Sequence, residues 1–537
     1  MRPVDRRGFL KLTGRFGIAS LGLTALPTAC TWRTGNVPNT VPTTRPTSTS
    51  SAVGPSPSGD PVPATDADWR ALRDSLKGTL VRPGQSGYSS ATQLFDPRFD
   101  GSHPQGVVYA ASPSDVQRSV AFIRAHGLAI TARSGGGSYA GYSTGPGLVC
   151  DVTRMAAVSL SGQTATIGAG AHLIDVYSAI APRGMLIAAG SCPTVGVAGL
   201  LLGGGQGVIG RKFGVASDNV RSVRIVTAAG DLLTCDERRN ADLYWACRGG
   251  GGGNFGIVTS FDVAAHPIGQ LSHFYYAWPW PAAADVLSAW QDWGNTAPDE
   301  LWSTCHLLAT AGMQPQVTVA GVYVGGASAL SAQLQALIAA VGSGPSTEQV
   351  RSDPLLETML IEAGCSGSTA AGCHLPTQDP QGRLERSSFF ARSAYFSRPL
   401  SDGAIGTLID HIAAAATGDG TGGAVAFDAW GAALNRPSPS DTAFVHRTSR
   451  FLAQYSSTWP SGAPASKIRA NRAWLTALHA AMQPHANGEA YQNYIDPDLQ
   501  DWPRAYYGAN LPRLRRIKTT YDPDRVFRFA QSIPPLA

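Results

Sequence analysis

Charge is scarce in this chain. Lys, Arg, Asp and Glu make up 15% of its 537 residues and leave a formal charge of only +5. No basic stripe interleaved with aromatics occurs, so nucleic acid is not an expected partner. Methionine is rare, at six residues, and cysteines number eight. Cys305-His306 and Cys373-His374 are adjacent pairs and not tetrahedral ligand sets, so no metal centre is expected. The apolar stretch from Phe16 to Leu26 is too short to span a bilayer as a permanent helix. What the chain has in excess is glycine, 61 residues in blocks without a fixed period. That excludes collagen-like and low-complexity readings. With 43% hydrophobic residues, the length suits two or three packed lobes.

The N-terminus carries addressing signals. Asp5-Arg6-Arg7-Gly8-Phe9-Leu10-Lys11 ahead of the apolar stretch matches a twin-arginine export signal, with Asp5 where Ser or Thr is more usual. Leu26-Pro27-Thr28-Ala29-Cys30 has the outline of a lipobox, from which Pro27 departs, so a lipid anchor at Cys30 stays open. Beyond it, Thr, Ser, Pro and Gly dominate to Ala64, too polar to offset their ordering entropy. The expected location is extracellular or envelope-associated. The cysteines suit an oxidising compartment. Cys365 with Cys373 and Cys235 with Cys247 are candidate pairs, while Cys150 ends an apolar strand and reads as a buried hydrophobe.

Periodicity predicts a helix over 68–80 with Asp66 as its cap, then a strand at 107–110. A helix capped by Ser112 with Pro113 in its first turn runs to His126-Gly127, and a strand at 128–132 enters a glycine loop. Strands follow at 165–170, 223–227, 232–234 and 254–259. After Pro267 the composition turns to aromatic-rich strands and alanine-rich helices, such as 274–276 and 282–293. The expected divisions are a signal segment at 1–30, a linker at 31–65, a cofactor domain at 66–270, a substrate domain at 271–486 and a returning segment at 487–537.

Arg133-Ser134-Gly135-Gly136-Gly137-Ser138-Tyr139-Ala140-Gly141 has the makings of an anion nest, with Arg133 adding charge. Taken alone, it also admits a plain tight turn, the lesser of the two readings. Gly205-Gln206-Gly207-Val208-Ile209-Gly210 satisfies the dinucleotide fingerprint, with Asp231 downstream where a ribose-binding acid is expected. That motif requires a helix directly after the glycines, and Arg211 to Asn219 shows no helical pattern, so a nicotinamide site is rejected. Cys192, between Ser191 and Pro193, is poorly explained as core packing and would be a nucleophile if its thiolate were favoured.

The first loop, the run Gly190-Ser191-Cys192-Pro193-Thr194-Val195-Gly196, the run Gly203-Gly204-Gly205-Gln206-Gly207 and the later Tyr491-Gln492-Asn493-Tyr494-Ile495-Asp496-Pro497-Asp498 occur in one order. Together they resemble the berberine bridge enzyme-like oxidases of the vanillyl-alcohol oxidase/para-cresol methylhydroxylase superfamily, over roughly residues 68–537. The resemblance implies an α+β fold, with a two-lobed FAD-binding domain of the para-cresol methylhydroxylase type and an α/β substrate domain built on an antiparallel sheet. It implies FAD held by Arg133, Ser134, Gly135, Gly136, Gly137, Ser138, Cys192, Val195, Gly196, Gly199, Gly203, Gly207, Gly256, Val258 and Asn493.

Many members tether FAD through a histidine in the first loop and a cysteine in the second. Gly137 stands at the histidine position, so the resemblance implies a single 6-S-cysteinyl bond at Cys192, no 8α-histidyl bond, and a lower flavin potential. Val195 matches the oxygen gatekeeper of oxygen-reactive members. Tyr494 takes the place of the general base and Tyr491 of a substrate contact. Asp428 matches an acid that assists the tyrosine in sugar-oxidising relatives, and Tyr139 an aromatic beside the flavin. A phenol is a weak base at neutral pH and a nearby carboxylate raises its pKa, so Asp428 is expected to accept the phenolic proton in a relay. The Phe444-Val445-His446-Arg447 run reads as structural, and Trp302, Trp430 and Trp459 as core. The implied activity is an exported oxidase that passes hydride from an alcohol or carbohydrate to flavin N5 and reduces O2 to H2O2. Oxidation of a secondary-metabolite alcohol, oxidative cyclisation, and a flavin-binding envelope protein with little turnover remain alternatives.

Overall fold

The computed structural model describes residues 62–418, 422–460 and 462–536. The export signal, Cys30 and nearly all of the linker lie outside the described residues. Among those described, no helix is long and apolar enough to cross a membrane.

The first helix, α1 (Asp66–Ser75), is shorter than its periodicity predicts and is capped by Thr65 rather than Asp66. The Thr65 and Asp68 side chains bond each other's backbone N–H in a capping box. The chain then becomes β1 (Thr79–Val81), because pairing with β2 (Gly106–Tyr109) overrides helix propensity. A Cβ on Gly78 would lie 1.9 Å from the Tyr109 carbonyl oxygen, so only glycine permits that approach. Helix α2 (Pro113–His126) has the expected bounds, although the Ser112 hydroxyl turns to Ser114 and makes no capping bond, and it ends at Gly127, in the left-handed conformation with φ of 63°. It leads to β3 (Ile130–Arg133) and β4 (Leu148–Asp151) in a four-stranded sheet of order β1-β2-β4-β3, with β4 parallel to both neighbours.

A second sheet, entirely antiparallel, has the order β5-β6-β9-β7-β8. Its strands are β5 (Val158–Ser161), β6 (Thr164–Gly168), β7 (Val220–Val226), β8 (Leu232–Cys235) and β9 (Ile257–Ala264). Helix α3 (Leu173–Ile180) packs its apolar face between these sheets. The expected Cys235–Cys247 pair does not form. Both thiols are free and buried in the shared core, where each acts as a small hydrophobe and burial pushes Cys235 up to about 12. The Cys365–Cys373 disulfide does form.

The third sheet has seven antiparallel strands. They are β10 (Ser272–Trp278), β11 (Leu301–Thr310), β12 (Gln316–Tyr323), β13 (Thr347–Ser352), β14 (Ser388–Phe396), β15 (Gly422–Ala429) and β16 (Phe451–Trp459), in the order β13-β10-β12-β11-β15-β16-β14. Strand alternation gives this sheet two unlike faces. Cys305, Leu307, Val425, Phe427, Ala453 and Tyr455 belong to a core with α4 (Ala283–Thr296), α5 (Ala327–Val341), α7 (Asp402–Thr417) and α8 (Ala465–Met482). The intervening His306, Ala426, Asp428 and Gln454 face a cavity against the first two sheets. Helix α6 (Leu355–Glu362) packs on α3 instead. The chain end, with α9 (Leu511–Tyr521), returns to the first lobe, where Phe527 bridges to Ile130 of β3. The architecture is α+β, a lobe built on the first two sheets followed by an antiparallel-sheet domain.

Candidate functional site

The two glycine-rich loops meet main chain to main chain. A Cβ on Gly135 would lie 2.2 Å from the Gly196 nitrogen, and one on Gly196 would lie 2.1 Å from the Gly135 nitrogen. Beside them, a Cβ on Gly207 would lie 1.9 Å from the Ala189 carbonyl oxygen. They border a cavity of about 490 Å³, one part of which is lined by glycine main chain. Of the sequence-predicted holding residues, Arg133, Ser134, Gly135, Gly136, Gly137, Ser138, Cys192, Val195, Gly196, Gly199, Gly207, Gly256, Val258 and Asn493 all line it. Gly203 does not line it, but a Cβ there would lie 1.9 Å from Asn493 Oδ1, so it lets Asn493 approach.

Arg133 differs from expectation in its charge. Its buried guanidinium is committed to Asp151 of β4 and the Ala91 carbonyl, so the carboxylate already neutralises it. The stretch after Gly207 also differs, because Gly210–Phe213 does form one helical turn. Four residues are too few for the long crossover helix of a nicotinamide site. Neither His126 nor His172 lines the cavity. Cys192 does, with its sulfur engaged in a disulfide.

The other end of the cavity is aromatic and polar. Tyr139 and Tyr494 stack with centroids 5.5 Å apart and planes within 4°. Tyr491 meets Tyr494 edge-on at 5.0 Å. The Tyr491 hydroxyl accepts hydrogen bonds from Gly205 N at 2.8 Å, Gln206 N at 3.2 Å and Asn493 Nδ2 at 2.9 Å. Burial pushes it up to about 12 in spite of those donors. Tyr491 N in turn donates to Ser393 Oγ of β14 at 2.9 Å, so this turn bridges the flavin-type lobe and the third sheet. Gln454 Nε2 donates to the Tyr139 hydroxyl at 2.9 Å.

Asp428 is fully enclosed on the sheet face. Loss of water raises its carboxyl to about 7, opposed only by a hydrogen bond from Gln206. The same burial, with the Asp428 charge nearby, holds the Tyr494 phenol well above its ordinary value. His306 is pushed down to about 4 by burial and is therefore neutral at pH 7. Three polar atoms of the lining, Arg133 Nη1, Gln206 Oε1 and Trp302 Nε1, are buried without a hydrogen-bond partner.

Sequence reasoning missed Tyr142, Gln206, His306, Gln454, Arg528 and Phe529 in this lining, and Trp302, a core residue as expected, also reaches it. Alternation in β11 and β16 was the available signal, since His306 and Gln454 are polar residues among buried apolar neighbours. His446 and Arg447 are structural: His446 Nδ1 lies 2.8 Å from Glu489, and buried Arg447 forks onto Asp218. Trp430 lies in a small buried cluster and Trp459 packs on Phe390.

Comparison with known proteins agrees with this geometry. An FAD binding domain model matches residues 104–236, and a "berberine and berberine like" model matches residues 490–534. The FAD-linked oxidoreductase YgaK of Bacillus subtilis is 32% identical over 471 residues, 86% of this chain and 98% of that protein. Among solved structures, Physcomitrella patens BBE-like 1 superposes with a TM-score of 0.79 at 29% identity, covering 87% of this chain and 99% of the other. A chitooligosaccharide oxidase superposes with a TM-score of 0.78 at 25% identity, covering 88% and 100%. The bare-backbone cradle at Gly135, Gly196 and Gly207 suits FAD, whose long body needs close main-chain approach. The chain belongs to the berberine bridge enzyme-like family of FAD-linked oxidoreductases.

Proposed function

We propose that this oxidoreductase is an oxidase of a hydroxyl-bearing carbon in an alcohol or carbohydrate, with dioxygen as the final acceptor. The observation that carries the reading is Asp428, an enclosed carboxyl raised to about 7 on the same wall as Tyr494. A general base works best when its pKa lies near the working pH. Asp428 therefore takes up the substrate hydroxyl proton near neutrality. Tyr494, held well above its ordinary value, passes the proton and does not retain it. FAD, when bound, supplies the two-electron acceptor between the substrate carbon and dioxygen. The unpaired Trp302 indole N–H and Gln206 carbonyl favour a ligand rich in hydroxyls over a purely apolar one. Tyr139 and Tyr494 offer ring faces against which a sugar or aromatic ring packs.

The balance is one alcohol and one O2 giving one carbonyl and one H2O2. A peroxide assay across oligosaccharides and simple alcohols tests it. Substrate-dependent peroxide should fall by about 10²–10⁴ in Tyr494→Phe and Asp428→Asn. A yellow protein that turns over nothing on that panel would favour the flavin-binding reading and sink this one.

Two finer proposals accompany it. A single bond from the Cys192 sulfur to the flavin is supported by its place in the lining, and requires that sulfur in its thiol form. Acid precipitation after flavin loading under reducing conditions should give a yellow pellet in the parent protein and a white one in Cys192→Ala. Export by the twin-arginine route rests on Arg6 and Arg7 ahead of the apolar stretch. Retention inside the cell of an Arg6→Lys, Arg7→Lys double variant would agree, and unchanged export would rule the route out.

A further inference from the structure

Three side chains outside the cavity converge from distant parts of the chain. His172 stands at the N-terminus of α3 and Asp175 in its first turn, while His374 follows the disulfide loop closed by Cys365 and Cys373. One potential ligand atom from each lies within 4.8 Å of the others. His374 Nε2 is 3.2 Å from Asp175 Oδ1 and 3.3 Å from Oδ2, and His172 Nδ1 is 3.5 Å from Oδ2. Metal–ligand bonds of about 2.0–2.1 Å in a tetrahedron set ligands roughly 3.3 Å apart. The carboxylate thus already stands at ligand separation from both rings.

The hydrogen bonding around the rings supports the same reading. His374 Nδ1 lies 2.9 Å from the Ala370 carbonyl oxygen and 3.3 Å from that of Ala371. Those carbonyls hold a protonated Nδ1, which leaves Nε2 as the nitrogen aimed at Asp175. A carbonyl accepting from the far nitrogen is the usual arrangement of a metal-bound imidazole. His172 is buried at 7% exposure, and its Nδ1, not its unpartnered Nε2, is the nitrogen shown facing Asp175. His374 is buried as well, whereas the Asp175 side chain is 38% exposed and leaves a route for an ion from solvent.

We infer that His172, Asp175 and His374 form a binding site for a divalent transition ion of the zinc class, which clamps the disulfide-closed loop onto the flavin-binding lobe. Two imidazoles and one carboxylate suit zinc and its neighbours better than calcium or magnesium. A fourth position remains for water on the Asp175 side. The clamp acts close to the cavity. His172 bridges Gly196, and the next residue, Leu173, donates its N–H to the Val195 carbonyl at 3.0 Å. Sequence spacing could not show this site, because His374 is 199 positions from Asp175.

Holoprotein purified without a polyhistidine tag, stripped with EDTA and dialysed against zinc chloride, is expected to retain about one zinc per chain by mass spectrometry. Its Tm should rise with zinc. Asp175→Asn and His374→Gln should each weaken zinc binding by at least about tenfold while keeping the flavin absorbance and circular dichroism of the parent. Anomalous scattering at the zinc edge locates the ion without relying on any variant. A peak bounded by the three side chains supports the site, and a peak elsewhere overturns it. Equal zinc in parent and variants overturns it too. So does a parent that takes up no zinc and whose Tm ignores it, the behaviour of a plain imidazolium–carboxylate bridge.

Discussion

Single positions differ sharply in what they tolerate, and glycine shows it best. The Gly135 and Gly196 approach leaves no room for a methyl group, since its contacts would be with backbone at 2.2 and 2.1 Å. Gly196→Ala should therefore separate the loops, and the protein should purify without the 450 nm flavin band. A Cβ on Gly137, by contrast, meets nothing within 4 Å. Gly137→His is expected to fold and load flavin normally, which the same absorbance checks. Asp428 makes a second residue-scale case. Activity should rise with pH through about 7 as its carboxyl ionises, and Asn should remove that limb of the profile. Stability follows with a definite sign. The unfolded chain releases this proton near pH 4, whereas the folded protein holds it to about 7, so folding binds a proton between those values. Parent stability should thus fall from about pH 4 to pH 7, by no more than roughly 4 kcal/mol. Tm measured against pH should show that Asp428→Asn gains on the parent over this window. The glycine loops, Tyr139, Tyr491, Tyr494 and Asp428 were legible as motifs. Gln206 was visible within a family run and a misleading fingerprint, but its role was not, because its contact with Asp428 is a matter of tertiary packing.

At the scale of elements, legibility tracked how local the decisive interaction was. Helix α2 carries its own stop in Gly127 and its own start in Pro113, so pattern alone bounds it. The end of α1 depends on strand pairing with β2, thirty residues on, and pattern misplaces it. His306 and Gln454 went unread for a related reason. Each is an ordinary polar residue in a strand until the register sets it opposite Ala426 of β15 and above the cavity. The Cys365–Cys373 disulfide is local again, closing a loop with a separation of eight residues. A loop of that size should contribute about 2–3 kcal/mol by restricting the unfolded chain. In a Cys192→Ser background, which removes the other disulfide, the Cys365→Ala, Cys373→Ala double variant should lower the thermal Tm and the urea midpoint, and dithiothreitol should lower the parent of that background by a similar amount while leaving the variant unmoved. A parent indifferent to both would mean that its loop is held by other contacts.

Across the whole molecule, the chain end completes what the first lobe begins. The segment from Tyr491 supplies one wall of the cavity, and the chain after α9, itself anchored in the first lobe, holds it where Gln531 Nε2 donates to the Asp496 carbonyl at 2.7 Å. The anchor is Lys518, whose side chain is wholly buried with Asp522. Its ammonium donates to Asp522, to the Phe527 carbonyl at 2.7 Å and to the Asn254 carbonyl beside the glycine run. Asp522 also accepts from Val526 N at 2.7 Å and Phe527 N at 3.0 Å. One cation thus joins the glycine run, the turn after α9 and, through Phe527, the edge strand β3. Breaking a buried pair by removing one partner costs about 3–5 kcal/mol, because the remaining charge is stranded. Lys518→Met should therefore lower the urea midpoint strongly and release flavin at denaturant concentrations that leave the parent yellow. The Lys518→Met, Asp522→Leu double variant should recover part of the stability, since no charge is left unpaired. Recovery should stay incomplete, because the Val526 and Phe527 amides then lose their acceptor. A single variant as stable as the parent would show that the chain end is held by its apolar contacts alone.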